Sequence, residues 1–343
     1  MPVALDAMGG DHAPAEPVAA AVEAARDYGI AVCLVGDESR LQLELAKHGQ
    51  VPASVTVVHS AETIEMHEHP ARALRAKPNA SMPMAVGMAR DGRASGAVSA
   101  GNSGAIMAAG IFILRRLPGI DRPAFGGVVP TRSGQAFLVD MGANSDCKPQ
   151  WLLQFARMGD IYMRTTQGVA NPRVALVSNG TEEGKGSVLT LAAFDLLRES
   201  GLNFVGNIEG NGIARGVADV VVCDGFTGNA ILKTMEGTVS VVTGFLRESL
   251  HSSLRAKIGG FLVRPALERM RARVDYAEYG GVPVLGVDGV LINCHGRSKA
   301  RAIVQGIRLA DRMARADLAG AIRRELVKPG SPADDASVTL LTD

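Results

Sequence analysis

Aromatic residues make up only 4% of this 343-residue chain, with a single Trp, four Tyr and nine Phe. A core without them must be built from Ala, Val, Leu and Ile, which suits a sheet covered by helices. An excess of one charge is also missing: 36 Lys and Arg against 35 Asp and Glu leave a net +1. That balance argues against bulk attraction to nucleic acid and leaves only local basic patches to consider. The four cysteines (Cys33, Cys147, Cys223, Cys294) are scattered, with no CxxC and no short metal spacing. They read as reduced thiols of a cytoplasmic protein. The apolar stretch nearest to a membrane span, Ala105 to Leu114, stops at Arg115-Arg116 and is too short. The opening Val3-Ala-Leu-Asp6 reads as a strand and lacks the basic start and apolar run of a signal peptide. A soluble protein is expected, with contact at a membrane surface still open.

What the chain does hold is glycine, 40 residues of it, and its placement is informative. Four segments each close a predicted strand beside polar side chains: Asp6-Ala-Met-Gly-Gly-Asp-His-Ala-Pro14, Ser99-Ala-Gly-Asn-Ser-Gly-Ala105, Asn179-Gly-Thr-Glu-Glu-Gly-Lys-Gly186 and Asp224-Gly-Phe-Thr-Gly-Asn229. Glycine lets backbone N–H groups approach an anion, and a helix starting after the turn adds partial positive charge. Strand-length apolar runs alternate with helical patterns through most of the sequence. This alternation predicts a parallel sheet with right-handed crossovers and ligands at the carboxyl ends of the strands. The four turns are expected to converge there on one phosphate-sized site. Two neighbouring strands, Gly126–Pro130 and Ala136–Asp140, read as an antiparallel insertion or an edge. No linker divides residues 1–343, which read as one α/β unit with an appendage and a loose tail from about Lys328.

The appendage is Phe245–Val274. Leu250, Leu254 and Ile258 recur every four positions, Gly259-Gly260 reads as a break, and Pro265 suits the first turn of a second helix. Between positions 247 and 273 there are seven Lys or Arg against two Glu. Phe261-Leu-Val263 is expected near the bare tip. Arg255, Lys257 and Arg264 with Phe261 and Leu262 thus form a candidate surface for an acidic partner or an anionic membrane; a helix pair used for dimer packing is the plainer reading.

Single motifs discriminate less. Gly210-Asn-Gly-Ile-Ala-Arg-Gly216 has a dinucleotide-like spacing, but the next strand, expected at Val217, leaves no room for a crossover helix. Around Ser103 the last glycine of a nucleophile elbow is replaced by Ala105, so a phosphate donor or helix cap is the better role. His67-Glu-His69 reads as a surface loop, and no metal is expected. Lys185, between two glycines ahead of a helix, can reach an anion held by its own turn. Asn229 reads either as an N-cap or as a donor to a carbonyl or phosphate oxygen. His12 and His295 sit on glycine turns after strands and can shuttle a proton.

Taken in order, these segments closely resemble the acyl-carrier-protein:phosphate acyltransferases of bacterial phospholipid synthesis, the PlsX family. The matching stretches also include Val139-Asp-Met-Gly-Ala-Asn144, Phe204-Val-Gly-Asn-Ile-Glu-Gly210, Val222-Cys-Asp-Gly-Phe-Thr-Gly-Asn229, Tyr279-Gly-Gly-Val-Pro-Val-Leu-Gly286 and His295-Gly-Arg-Ser298. The likeness covers about residues 3 to 325; Ser187 departs from the Asn often found in the family. It implies a three-layer α/β/α fold with a mostly parallel sheet, like that of isocitrate and isopropylmalate dehydrogenases, a homodimer, and peripheral association with the inner membrane face. It implies transfer of a long-chain acyl group from acyl-carrier protein to inorganic phosphate, without a cofactor. On that reading Lys185, Asn229, His12 and His295 carry the chemistry. Asp6, Gly9, Gly10, Gly101, Asn102, Ser103, Gly104, Asp140, Asn144, Asn179, Gly186 and Asp224 surround the phosphate and substrate. A phosphate acyltransferase for short coenzyme A thioesters and a non-catalytic membrane scaffold are the competing readings.

Overall fold

The computed structural model describes residues 1–274 and 280–326. Tyr279 and the tail from Lys328 lie outside these residues, and so do the side chains of Arg269, Arg271, Arg273 and Val274. Eleven strands form one sheet in the order β3-β2-β1-β4-β11-β10-β5-β6-β9-β7-β8. At one end β1 (Val3–Asp6), β2 (Val32–Gly36), β3 (Val55–His59), β4 (Gly96–Ser99) and β11 (Leu291–Asn293) are mutually parallel. At the other end β6 (Gly134–Val139), β7 (Val174–Val177), β8 (Phe204–Ile208) and β9 (Val220–Val222) are parallel too. Between the sets lie β10 (Val282–Leu285) and β5 (Ala124–Thr131), and the pairings β11–β10, β10–β5 and β5–β6 are antiparallel. Three reversals in a row make the two parallel sets run in opposite directions.

The β5–β6 pair, read as an antiparallel insertion or an edge, is antiparallel and lies at the centre of the sheet. Glycine makes this possible: a Cβ on Gly126 would overlap the Phe137 ring, and one on Gly127 would meet Met141 Sδ at 2.6 Å. The bare backbone leaves room for large residues of the neighbouring strand in the middle of the sheet.

Side chains alternate across the sheet, as strand geometry requires. Val3, Leu5, Phe137 and Val139 join one core with α1 (Ala15–Tyr28), α2 (Glu38–Leu45), α6 (Pro149–Gln167), α7 (Val188–Arg198), α11 (Ala300–Arg315) and α12 (Leu318–Leu326). Ala4, Ala136 and Leu138 join the other with α3 (Pro70–Ala76), α4 (Ser81–Arg90), α5 (Ser103–Ala109), α8 (Gly210–Arg215) and the start of α9 (Gly225–His251). The result is helices, sheet, helices. The connection from β8 to β9, read as having no room for a helix, carries the six-residue α8. It fits because strand β9 begins at Val220, three residues later than expected.

The appendage differs from its sequence reading. Helix α9 ends at His251, and α10 (Leu254–Val274) runs unbroken through Gly259-Gly260 and Pro265. The turn sits at Ser252–Ser253 because the Ser253 hydroxyl accepts from the Ala256 amide at 3.1 Å and caps α10. Gly260 serves a close approach instead of a break, with Leu250 3.5 Å from where its Cβ would lie. Phe261 and Leu262 therefore lie inside α10, not at the tip, and are 75% and 73% exposed.

Phe137 is fully buried and stacks on Tyr162 with ring centroids 4.2 Å apart. Phe137→Ala is expected to cost about 3–5 kcal/mol, read as a lower urea midpoint with an unchanged slope.

Candidate functional site

At the edge where β1, β4 and β11 finish, three loops are knitted together. The Ser99 hydroxyl donates to Asp6 Oδ2 at 2.6 Å and accepts from the Gly101 amide at 3.0 Å. The Met8 amide donates to Asp6 Oδ1 at 3.2 Å, and the Asp11 amide donates to the Gly296 carbonyl at 2.8 Å. Gly9 is required here: a Cβ would overlap Asp6 Oδ2 and come within 2.9 Å of the Gly101 nitrogen. Gly10 has φ +100° and would meet the Gly296 carbonyl at 3.1 Å. Asn102 caps α5 by accepting from Ala105 and donates to the Met66 and Glu68 carbonyls, so its amide is committed. Ser103 starts α5, and Asn293 Nδ2 donates to its hydroxyl at 2.9 Å. His12 and His295 are exposed on the same loops.

The opposite edge, where β6, β7 and β9 finish, is organised around Asp140. Its carboxylate accepts from the amides of Phe125, Gly142, Ala143 and Asn144 and from Asn144 Nδ2, at 2.8–3.1 Å. Asn144 also donates to the Pro123 carbonyl, and its own carbonyl accepts from Gly225 at 2.7 Å. Asp224 caps α9, accepting from the Thr227 amide and hydroxyl. Asn229 is therefore not the N-cap; it lies in the second turn, exposed, with its Cβ 3.4 Å from where one on Gly142 would stand. Lys185 is exposed on the β7–α7 loop. Ser178 Oγ donates to the Lys185 carbonyl at 3.0 Å, and Asn207 Nδ2 donates to the Glu182 and Lys185 carbonyls at 3.0 and 3.4 Å. Ser178 and Asn207 escaped the sequence reading, although Asn207 lies within a glycine-bounded segment that carried the resemblance.

The residues expected around one anion thus fall into two groups. Asp6, Gly9, Gly10, Gly101, Asn102, Ser103, Gly104, His12 and His295 share one edge; Asp140, Asn144, Asn179, Lys185, Gly186, Asp224 and Asn229 share the other. Asp6 and Asp140 stand five strands apart, about 24 Å at the usual strand spacing. The expected convergence on one pocket is not met within a single chain, because the sheet reverses direction between the groups. Nor are Asp6, Asp140 and Asp224 suited to holding phosphate: they act as acceptors, already engaged by Ser99, Thr227 and the amides of the surrounding turns. Their work is to shape the turns.

Burial pushes the Asp6 and Asp140 carboxyls up, against the opposing pull of their hydrogen bonds. The thiols are unsuited to nucleophilic work. Burial, helped by Asp140, pushes Cys147 up to about 12, and burial alone does the same to Cys294. Since Asp6 binds its proton more tightly when folded, its contribution to stability is present at low pH and is lost as pH rises through its folded value. The urea midpoint of the native protein should therefore fall, relative to Asp6→Asn, as pH rises from the ordinary carboxylate range toward neutrality. A constant gap across that range would show that Asp6 does not titrate with folding.

Among solved structures, a phosphotransacetylase from Staphylococcus aureus aligns with TM-score 0.60 at 16% identity, covering 91% of this chain and 93% of that one. A 4-hydroxythreonine-4-phosphate dehydrogenase from Klebsiella pneumoniae aligns with TM-score 0.57 at 14% identity, covering 91% and 99%. Likeness at this identity concerns the fold alone. In sequence, the phosphate acyltransferase of Pelotomaculum thermopropionicum is 51% identical over 310 residues, 90% of each chain. That of Anaeromyxobacter dehalogenans is 48% identical over 341 residues, 98% of this chain and 94% of that one. Residues 1–320 match the family described as "Fatty acid synthesis protein". With half of its residues shared along nearly its whole length, this chain belongs to the PlsX family of phosphate acyltransferases.

Proposed function

We propose that the protein transfers a long-chain acyl group from acyl-carrier protein to inorganic phosphate. The acyl phosphate formed would serve glycerol-3-phosphate acylation in phospholipid synthesis. Phosphate oxygen adds to the thioester carbonyl to give a tetrahedral oxyanion, the C–S bond breaks as that oxyanion collapses, and the phosphate proton ends on the carrier thiol. Phosphate is itself the nucleophile, so the protein's task is alignment and charge stabilisation. The observation that carries the reading is the Lys185 loop. Its cation is exposed, and its carbonyl is pinned by Ser178 and Asn207 at the edge that also bears Asn229.

Lys185 balances charge on phosphate and on the tetrahedral oxyanion, while Asn229 donates to the carbonyl oxygen. The departing thiol, with an ordinary pKa of about 8.5, leaves readily and makes a modest demand on a general acid. His12 or His295 can supply that proton only if the opposite edge is brought near, which the proposed homodimer would allow by setting one copy's edge against the other's. No cofactor enters the scheme.

For localisation, no helix of the described residues is long and apolar enough to cross a membrane. We place the protein in the cytoplasm, peripherally on the inner membrane face, through α10. Leu254, Ile258, Phe261 and Leu262 are exposed there beside Arg255 and Lys257, an arrangement that suits an anionic membrane or an acidic carrier protein. Arg264 contributes less, being paired with Glu268 at 2.9 Å.

Loss of one oxyanion donor commonly costs about 10²–10³ in turnover. Lys185→Ala should fold and lose a comparable factor in phosphate-dependent thiol release from palmitoyl-carrier protein, with acyl phosphate trapped by hydroxylamine. Turnover near the native level would remove Lys185 from the mechanism, and thiol release independent of phosphate would remove the reaction. Replacing Phe261 and Leu262 by Glu should abolish sedimentation with anionic vesicles and leave turnover in solution intact; undiminished sedimentation would contradict the membrane role.

A further inference from the structure

A cavity of about 590 Å³ lies on the outer side of the first parallel set, between α3, α4, the end of β3 and the turn at Gly110–Leu114. Its walls are apolar, formed by Leu74, Met84, Met88, Phe112 and Ile113. Phe112 is 58% exposed, although it belongs to a chain poor in aromatics. Gly87 lines the same space from the middle of α4. Glycine is a poor residue for a helix interior and is usually kept for a close approach. Gly159 in α6 is of that kind, since a Cβ there would come within 2.6 Å of Val220. Around Gly87 nothing lies within 4 Å of the place its Cβ would take. Its lack of a side chain keeps the groove floor open and serves no packing contact.

One end of the groove is cationic. Arg90 and Arg93 stand at it with a single acid, Asp91, which pairs with Arg90 at 2.8 Å and Arg93 at 3.5 Å, and Arg75 lines the groove from α3. Three guanidiniums against one carboxylate leave a surplus of positive charge beside an apolar trough. Since α4 leads directly into the start of β4, this end lies at the sheet edge where β6, β7 and β9 finish, the edge that bears Lys185 and Asn229.

We propose that the groove is a binding site for one long-chain amphiphile with an anionic head, its hydrocarbon lying along α4 and its head at Arg90 and Arg93. The volume suits a single ligand of moderate size. Methionines on the wall can adapt to a flexible chain. Charge complementarity selects a fatty carboxylate or acyl phosphate over a neutral lipid. Naming the acyl group of the transferase reaction as the natural occupant rests on the function proposed above; the site itself does not.

The test uses the full-length protein and calorimetric titration with octanoate, decanoate and dodecanoate. Each added methylene removed from water should strengthen binding about fourfold. Gly87→Phe fills the floor and should weaken dodecanoate binding about tenfold or more, whereas Gly87→Ala should stay within about twofold of the native protein. Phenylalanine is a better helix former than glycine, so the variant is expected to fold; Met84→Trp blocks the groove from the other wall if it does not. Arg90→Glu with Arg93→Glu should weaken dodecanoate and spare its methyl ester.

Unchanged dodecanoate affinity in a folded Gly87→Phe protein, or affinity independent of chain length, would overturn the site. So would a change in oligomeric state in place of a change in binding, which would make the groove a contact between copies. Phosphate-dependent turnover of a short-chain thioester, measured alongside, separates the two failures. Turnover with no groove effect defeats the site alone, and a groove effect without turnover defeats the reaction alone.

Discussion

A carboxylate fully buried at the end of a central strand is tolerable only if its oxygens are saturated with donors. Asp140 meets that condition with four main-chain amides and one side-chain amide, gathered from β5 and from the loop after β6. The loop can deliver these amides only by folding back on the carboxylate. Its shape then fixes the seat of α9, where a Cβ on Gly225 would come within 2.8 Å of the Asn144 backbone. Asp6 repeats the arrangement on a smaller scale with Ser99 and Met8. In both places an anionic side chain, useless for holding phosphate, produces the turn geometry from which other groups can hold it.

The second organising fact is the reversal of the sheet. Two parallel halves of opposite sense, joined through β10 and β5, expose carboxyl strand ends at both edges. Phosphotransacetylases and 4-hydroxythreonine-4-phosphate dehydrogenases share the fold at 14–16% identity. An architecture with two loop-bearing edges can serve different chemistries, and membership of the family here rests on sequence.

The sequence was most legible where backbone demands are strict. Gly9 must be glycine because Asp6 and Gly101 occupy the space of its Cβ, and Gly10 because its φ is +100°. Both therefore stand out in a bare sequence. Lys185 was legible as a cation between glycines, but Ser178 and Asn207, which pin its loop, were not, since Ser178 carries no motif of its own and Asn207 comes from the neighbouring strand β8. The Gly259-Gly260 pair misled because local propensity argued for a break, whereas packing against Leu250 favoured a continuous helix capped by Ser253.

Sequence alone determined the alternation of strands and helices, the glycine turns at strand ends and the family, because each is written in residues adjacent along the chain. Tertiary structure decided which turns share an edge, which acids are consumed by their own loops, and that Gly87 opens onto a groove. Those outcomes depend on strand direction and on contacts between residues far apart along the chain, such as Asp11 with Gly296, which no local pattern encodes.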